Sequence, residues 1–203
     1  GKHMMEFEKK ILLTEEEYQA VLKQRSREER RHRREHYVQK NHYYDTEDLS
    51  MNRQGITCRI REKEGRFTAT HKTHASGHSI EKSAAVTGVS DLFPLTSAPL
   101  KRKGCLLTER HKWSLENGIV VCLDKNTYLE TVDYELEIEY PQGQEELAYL
   151  EIQAVTDVLC SAGLMHSAGE IVGRLLWAKS KSRRFFDRYR KRQGLPEIGG
   201  DRL

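Results

Sequence analysis

The sequence predicts an α+β protein: antiparallel strands that suit a closed barrel with a polar interior, together with amphipathic helices. Three observations carry this expectation. Several segments alternate between apolar and charged side chains, so each would be polar on one face. Short turn signals, Asn117-Gly118 above all, join such segments as hairpins. From Glu145 to Leu164, the residues Leu147, Leu150, Ile152, Val155, Val158 and Leu159 recur with a helical period, as on a helix lying against a core.

The first strand, Met5 to Leu12, sets the pattern. Glu6, Glu8 and Lys10 share one face, Phe7 and Lys9 the other. A row of two carboxylates and an ammonium is costly in an apolar core, but suits a solvated surface or a water-filled barrel. Thr14 reads as a helix N-cap with Glu15, Glu16 and Glu17 in the first turn. Tyr18, Val21 and Leu22 supply its apolar face, so a helix over 15–24 is expected. Arg25 to His36 is almost wholly charged and reads most simply as a solvated helix extension or loop, with an anion-attracting rim as the functional option.

Tyr37 to Thr46 reads as a strand. In Ile56 to Glu62, Ile56, Cys58 and Ile60 alternate with Thr57, Arg59 and Arg61. Gly65 turns the chain, and Arg66 to Thr73 returns carrying Lys72. His74 to Ser79 reads as a loop punctuated by Gly77, Ile80 to Lys82 as a short strand, and Ser90 to Leu95 as a short helix. In the strand Cys105 to Ser114, Leu106, Thr108, Arg110 and Lys112 share a face. Ile119 to Asp124 returns antiparallel and a loop follows. Asp133 to Tyr140 then carries a second acidic row, Glu135, Glu137 and Glu139, ended by Pro141 and Gly143. The two acidic rows are expected to face each other. Gly163 can stop the long helix. Arg174 to Arg190, with Lys181, closes the ordered part. The expected domain is 5–190, with 1–4 as a tag remnant and 191–203 as a flexible tail.

Composition narrows the class. The 203 residues suffice for one sizeable domain. A net charge of +3, with both signs abundant, gives no argument for nucleic acid, which is disfavoured as a partner. Cys58, Cys105, Cys122 and Cys160 form no CxxC pair, so free thiols in a reducing cytoplasm are expected. No run approaches membrane-spanning length, and no signal peptide is visible. A second copy of the chain is kept as a partner. There is no GxxxxGK[ST] loop and no HExxH spacing; His71, His74 and His78 read as loop residues.

Collected on the polar faces are Glu6, Glu8, Glu81, Asp124, Glu135, Glu137 and Glu139, and the bases Lys10, Arg59, Arg61, Lys72, Arg110 and Lys181. Any one such strand is more simply a strand with a solvated face. Together, the carboxylates suit Mg²⁺ or Mn²⁺ and the bases suit phosphate oxygens. The order Glu6-x-Glu8-x-Lys10, Tyr43-Tyr44-Asp45-Thr46, Arg59-Ile60-Arg61, Lys72-Thr73, Arg110, Leu123-Asp124, Tyr134-Glu135-Leu136-Glu137 and Lys181-Ser182-Arg183-Arg184-Phe185 resembles the CYTH superfamily, the triphosphate tunnel metalloenzymes, and within it the small stand-alone bacterial members. The resemblance implies an eight-stranded antiparallel barrel open as a tunnel, and a divalent metal held by the acidic positions. It also implies a triphosphate held by the bases. Two positions depart from the family pattern: Thr108 stands where many members have a phosphate-contacting Lys, and His74 where many have Pro.

The expected function is metal-dependent hydrolysis of a triphosphate, inorganic triphosphate first among them. Lys10, Arg59, Arg61, Lys72, Arg110 and Lys181 would bind substrate. Glu6, Glu8, Glu81, Asp124, Glu135 and Glu137 would bind metal, with Glu139 held in reserve. Glu6, Glu8, Lys10, Arg59, Arg61 and Lys72 would form the catalytic set. The alternatives are an adenylate cyclase, a thiamine triphosphatase, and a non-catalytic polyphosphate or nucleotide binder. No stretch announces an adenine pocket; Tyr43, Tyr44 and Trp113 read more simply as packing residues.

Overall fold

The alternating segments form eight strands and the periodic ones five helices in the computed structural model, which describes residues 6–27, 33–75 and 78–198, the side chains of 75 and 78 excepted. The expected tag remnant, Met5, the middle of the basic run (28–32), Gly77 and the end of the expected tail (199–203) lie outside the described residues. In chain order the elements are β1 (Glu6–Leu13), α1 (Glu15–Arg27), β2 (Arg33–Asp45), α2 (Ser50–Arg53), β3 (Ile56–Lys63), β4 (Arg66–Ala75), β5 (His78–Val86), β6 (Lys101–Ser114), β7 (Val120–Tyr128), β8 (Thr131–Pro141), α3 (Glu145–Ser161), α4 (Glu170–Trp177) and α5 (Lys181–Gln193). The strands make one antiparallel sheet in the order β1-β8-β7-β6-β2-β3-β4-β5, so the class is α+β as expected. The described residues group into two compact units, 1–37 with 109–126 and 132–178, and 38–108 with 127–131 and 179–203.

In the first unit, β1 pairs with β8, Glu8 opposite Glu139, Lys10 opposite Glu137 and Leu12 opposite Glu135. The two acidic rows therefore lie side by side on neighbouring strands, where the sequence reading had them facing each other. The other face is apolar: Phe7 stacks on Tyr140 at 5.8 Å, and Ile11 and Leu136 are opposite one another. There Ile11, Val21, Trp113, Val121, Leu123, Leu136, Ile138, Ile152, Val155 and Leu159 form a core with almost no solvent exposure. Full burial of each Ile, Leu or Val contributes about 1.5–3 kcal/mol. A reciprocal cap starts α1: Glu17 N–H donates to Thr14 Oγ1 at 3.2 Å, and Thr14 N–H donates to Glu17 Oε1 at 2.9 Å.

The second unit has two cores. Tyr43, Leu49, Leu106, Tyr128, Phe185 and Phe186 make one; Tyr44, Cys58, Ile60, Ala69, Phe93 and Leu100 make the other. Cys58 and Ile60 thus turn to apolar neighbours and leave Arg59 and Arg61 on the opposite face of β3. Ser180 caps α5, its Oγ accepting Arg183 N–H at 3.2 Å. At Gly104 the helix comes close: an added Cβ would stand 2.8 Å from Phe185 Cζ.

Several boundaries differ from expectation. The charged run is helix as far as Arg27 and strand from Arg33, because alternating charges can project from a strand as readily as from a loop. The residues from His74 to Ser79 that are described belong to β4 and β5, and β5 runs on to Val86. β7 continues to Tyr128 through the expected loop. No helix forms over 90–95. Phe93 precedes Pro94, which disfavours helical backbone, and its N–H donates instead to Leu100 O at 3.0 Å. No helix of the described residues is long and apolar enough to cross a membrane.

Candidate functional site

The candidate residues fall into two groups, one in each unit. In the first unit, the antiparallel register of β1 and β8 sets Lys10 among carboxylates. Its Nζ lies 3.9 Å from Glu8, 3.7 Å from Glu135 and 3.7 Å from Glu137. Glu8, Glu137 and Glu139 each offer an oxygen within 4.8 Å of the other two. Glu135 and Asp124 are wholly buried, while Glu6, at the start of β1, is exposed. Such crowding has a titration signature. Burial, then the Glu137 charge, pushes the Glu139 carboxyl up to about 7, and Glu6 adds to the push. Near neutrality the Glu139 carboxyl is therefore partly protonated beside Glu137. A group of hard oxygens that can hold its full charge only with a proton or a cation among them fits a divalent ion of the Mg²⁺ type.

Arg110 and Asp124, assigned to phosphate and to metal from the sequence, meet each other. Arg110 Nε and Nη2 donate to Asp124 Oδ1 and Oδ2, both at 2.8 Å. Burial alone would lower the Arg110 pKa, yet the Asp124 carboxylate raises it well above its ordinary value. Cys122, on the same face of β7, has its thiol pushed up to about 12 by burial and stays protonated. Sequence reasoning missed Asn126, whose Nδ2 donates to Asp133 at 2.9 Å and to Glu135 at 3.0 Å and so orients the buried glutamate. Its signal was the two-residue step from Asp124, obscured by ending the strand there.

In the second unit the bases gather. Burial raises the pKa of the wholly enclosed Tyr43 phenol, and the charges of Arg59, Lys181, Arg61 and Arg184 all pull it back. Arg184 was not among the expected residues. Arg61 Nε donates to Asn41 Oδ1 at 2.8 Å. Lys72 on β4 lies opposite Glu81 on β5, their charges 3.6 Å apart. Glu81 therefore sits with the bases of this unit and is not grouped with the other carboxylates. A hydroxyl pair links the base-bearing elements: Thr57 Oγ1 on β3 lies 2.7 Å from Ser182 Oγ on α5 and 3.2 Å from His74 Nε2 on β4. His74, expected in a loop, closes this link from the end of a strand.

Residues 4–159 match the model of the CYTH domain. The chain belongs to the CYTH family. Over 157 residues this CYTH chain is 30% identical to the "Putative triphosphatase YjbK" of Bacillus subtilis, covering 70% of this chain and 80% of that one. Its fold matches that of a Bacillus halodurans protein described as a "putative adenylate cyclase", with a TM-score of 0.65, 27% identity, and 90% and 98% of the two chains covered. It also matches HpAC1 from Hippeastrum, described as showing a dominant triphosphatase activity, with a TM-score of 0.62 over 96% and 98% of the chains; at 16% identity this likeness speaks for the CYTH fold.

Proposed function

We propose that this CYTH protein is a divalent-metal-dependent triphosphatase that hydrolyses inorganic triphosphate to diphosphate and phosphate. One observation carries the reading: Glu8, Glu137 and Glu139 each offer an oxygen within 4.8 Å of the other two. Crowded carboxylates suit a divalent cation, and arginines and lysines suit phosphate oxygens. The relationship to YjbK, described as a "Putative triphosphatase", supports triphosphate hydrolysis.

Arg59, Arg61, Lys72 and Lys181 grip phosphate oxygens, the arginines as forks and the lysines as point charges. Glu6, Glu8, Glu137 and Glu139 would hold Mg²⁺ or Mn²⁺, with Lys10 among them. Asp124 is held by Arg110, and Glu135 by Asn126. The cation, when bound, neutralises phosphate charge and lowers the pKa of the attacking water. The side chains supply position and electrostatic stabilisation, which account for most of the rate enhancement in phosphoryl transfer. Four free thiols suit a reducing cytoplasm.

The Bacillus halodurans relative brings the cyclase alternative into view. Cyclisation of ATP needs the nucleoside held for in-line attack. Tyr43, Tyr44 and Trp113, the aromatic side chains considered for stacking on adenine, are 1%, 0% and 0% exposed, which favours hydrolysis. The test is a panel of inorganic triphosphate, ATP and thiamine triphosphate with Mg²⁺ and with Mn²⁺, reading phosphate, diphosphate and cyclic nucleotide separately. The expected outcome is a higher kcat/KM for inorganic triphosphate than for ATP, and little cyclic AMP. Cyclic AMP as the main product, with inorganic triphosphate untouched, would make the protein a cyclase; no turnover of any substrate would make it a binding module.

A further inference from the structure

A second donor cluster lies in the first unit, away from the carboxylate row. Glu109 and His111 are two residues apart on β6 and so share the face opposite Arg110. His36 joins them from β2, the neighbouring strand in the sheet. His36 Nε2 stands 3.1 Å from Glu109 Oε1, and the His36 and His111 rings stack at 4.0 Å with 12° between their planes. One donor atom from each of the three lies within 4.8 Å of the other two. His111 is 6% exposed and stacks in turn on the wholly buried Trp113, so its ring is fixed from behind. The His36 and Glu109 side chains are 52% and 39% exposed, which leaves the cluster open to solvent.

We propose that His36, Glu109 and His111 bind a borderline transition-metal ion such as Zn²⁺ or Co²⁺, independently of the hard-cation site. Two imidazoles and a carboxylate are a donor set such ions favour, with a fourth position left to water. Mg²⁺ prefers all-oxygen surroundings, so the two sites sort ions by donor chemistry. Arg34 is the cluster's competitor. Its Nη2 lies 3.1 Å from His111 Nδ1, and its guanidinium lies over the Trp113 ring at 5.5 Å. Accepting from Arg34 leaves the proton on His111 Nε2, so metal binding through either nitrogen ends that hydrogen bond.

The experiment is a Co²⁺ titration of the whole protein in saturating Mg²⁺, read by visible d–d absorption and by calorimetry. One equivalent is expected to bind. His36→Ala, at an exposed position that leaves the core intact, should abolish the signal, and Glu109→Gln should weaken binding at least tenfold. Arg34→Gln should tighten it. Glu137→Gln, in the carboxylate row, should leave it unchanged. Absence of Co²⁺ binding above the Mg²⁺ background, binding indifferent to His36→Ala, or loss in Glu137→Gln would each overturn the assignment.

Discussion

Arg110 and Asp124 form a closed fork between β6 and β7, two hydrogen bonds of 2.8 Å around a carboxylate with no solvent exposure. Removing one member leaves the other buried without its counter-charge. Asp124→Asn is therefore expected to destabilise the metal-free protein by about 3–5 kcal/mol. Urea unfolding in chelator checks this. A loss below about 1 kcal/mol would mean that water or another group compensates Arg110 and that the fork is not structural.

The carboxylate row makes a prediction about turnover. Glu6→Gln and Glu137→Gln keep side-chain volume and remove an anionic oxygen. Each is expected to lower kcat/KM on inorganic triphosphate by roughly 10²-fold or more with the circular dichroism unchanged. Full activity of both variants at ordinary Mg²⁺ would remove them from the site.

Glu139 makes a prediction about pH. Its folded pKa of about 7 lies above the ordinary 4.5, raised first by burial and then by Glu137. A raised folded value means that folding favours the protonated form. Its stabilising contribution is complete below about 4.5, falls as pH rises, and is gone above about 7. The metal-free protein should thus lose stability across that window, by on the order of 3 kcal/mol. Burial lowers the pKa values of His42 and His111, which acts the other way as pH falls, so the comparison is wild type against Glu139→Gln. Mg²⁺ should flatten the difference. Parallel pH profiles for the two proteins in chelator would refute the assignment.

Much of this was legible in the residues. The alternation in β1, β3 and β8 placed Glu8, Glu137, Arg59 and Arg61 on the right faces, because a period of two fixes the face once the strand is recognised. Partners across strands were less legible. Nothing local in Asp124 announces Arg110, and nothing in Glu6 to Lys10 tells whether the second acidic row lies beside it or opposite, since pairing order depends on the whole chain. Arg184 acquires its role from Tyr43, distant in sequence, whereas Asn126 lies two residues past the point where the expected strand ends. The helix expected over 90–95 does not form because Pro94 disfavours helical backbone at Phe93.

The Thr57–Ser182 bond predicts a separation of kinetic effects. It joins the strand of Arg59 and Arg61 to the helix that begins at Lys181. Ser182→Ala should raise KM for inorganic triphosphate several-fold with a smaller change in kcat, and Thr57→Val should do the same without adding to it. Additive effects in the double variant would show that the two hydroxyls act separately.

The three apolar cores are not completed at the same point along the chain. The core of the first unit has its last buried member at Ile171, and the core around Tyr44 and Ile60 ends with Leu100. The core around Tyr43 needs Phe185 and Phe186. During synthesis, Tyr43, Leu49 and Leu106 must therefore wait in water until α5 emerges. Until then Tyr128 is the one later buried member of this core available to cover them, so a ribosome stalled ahead of α5 presents apolar surface for chaperones, or for aggregation if none arrives.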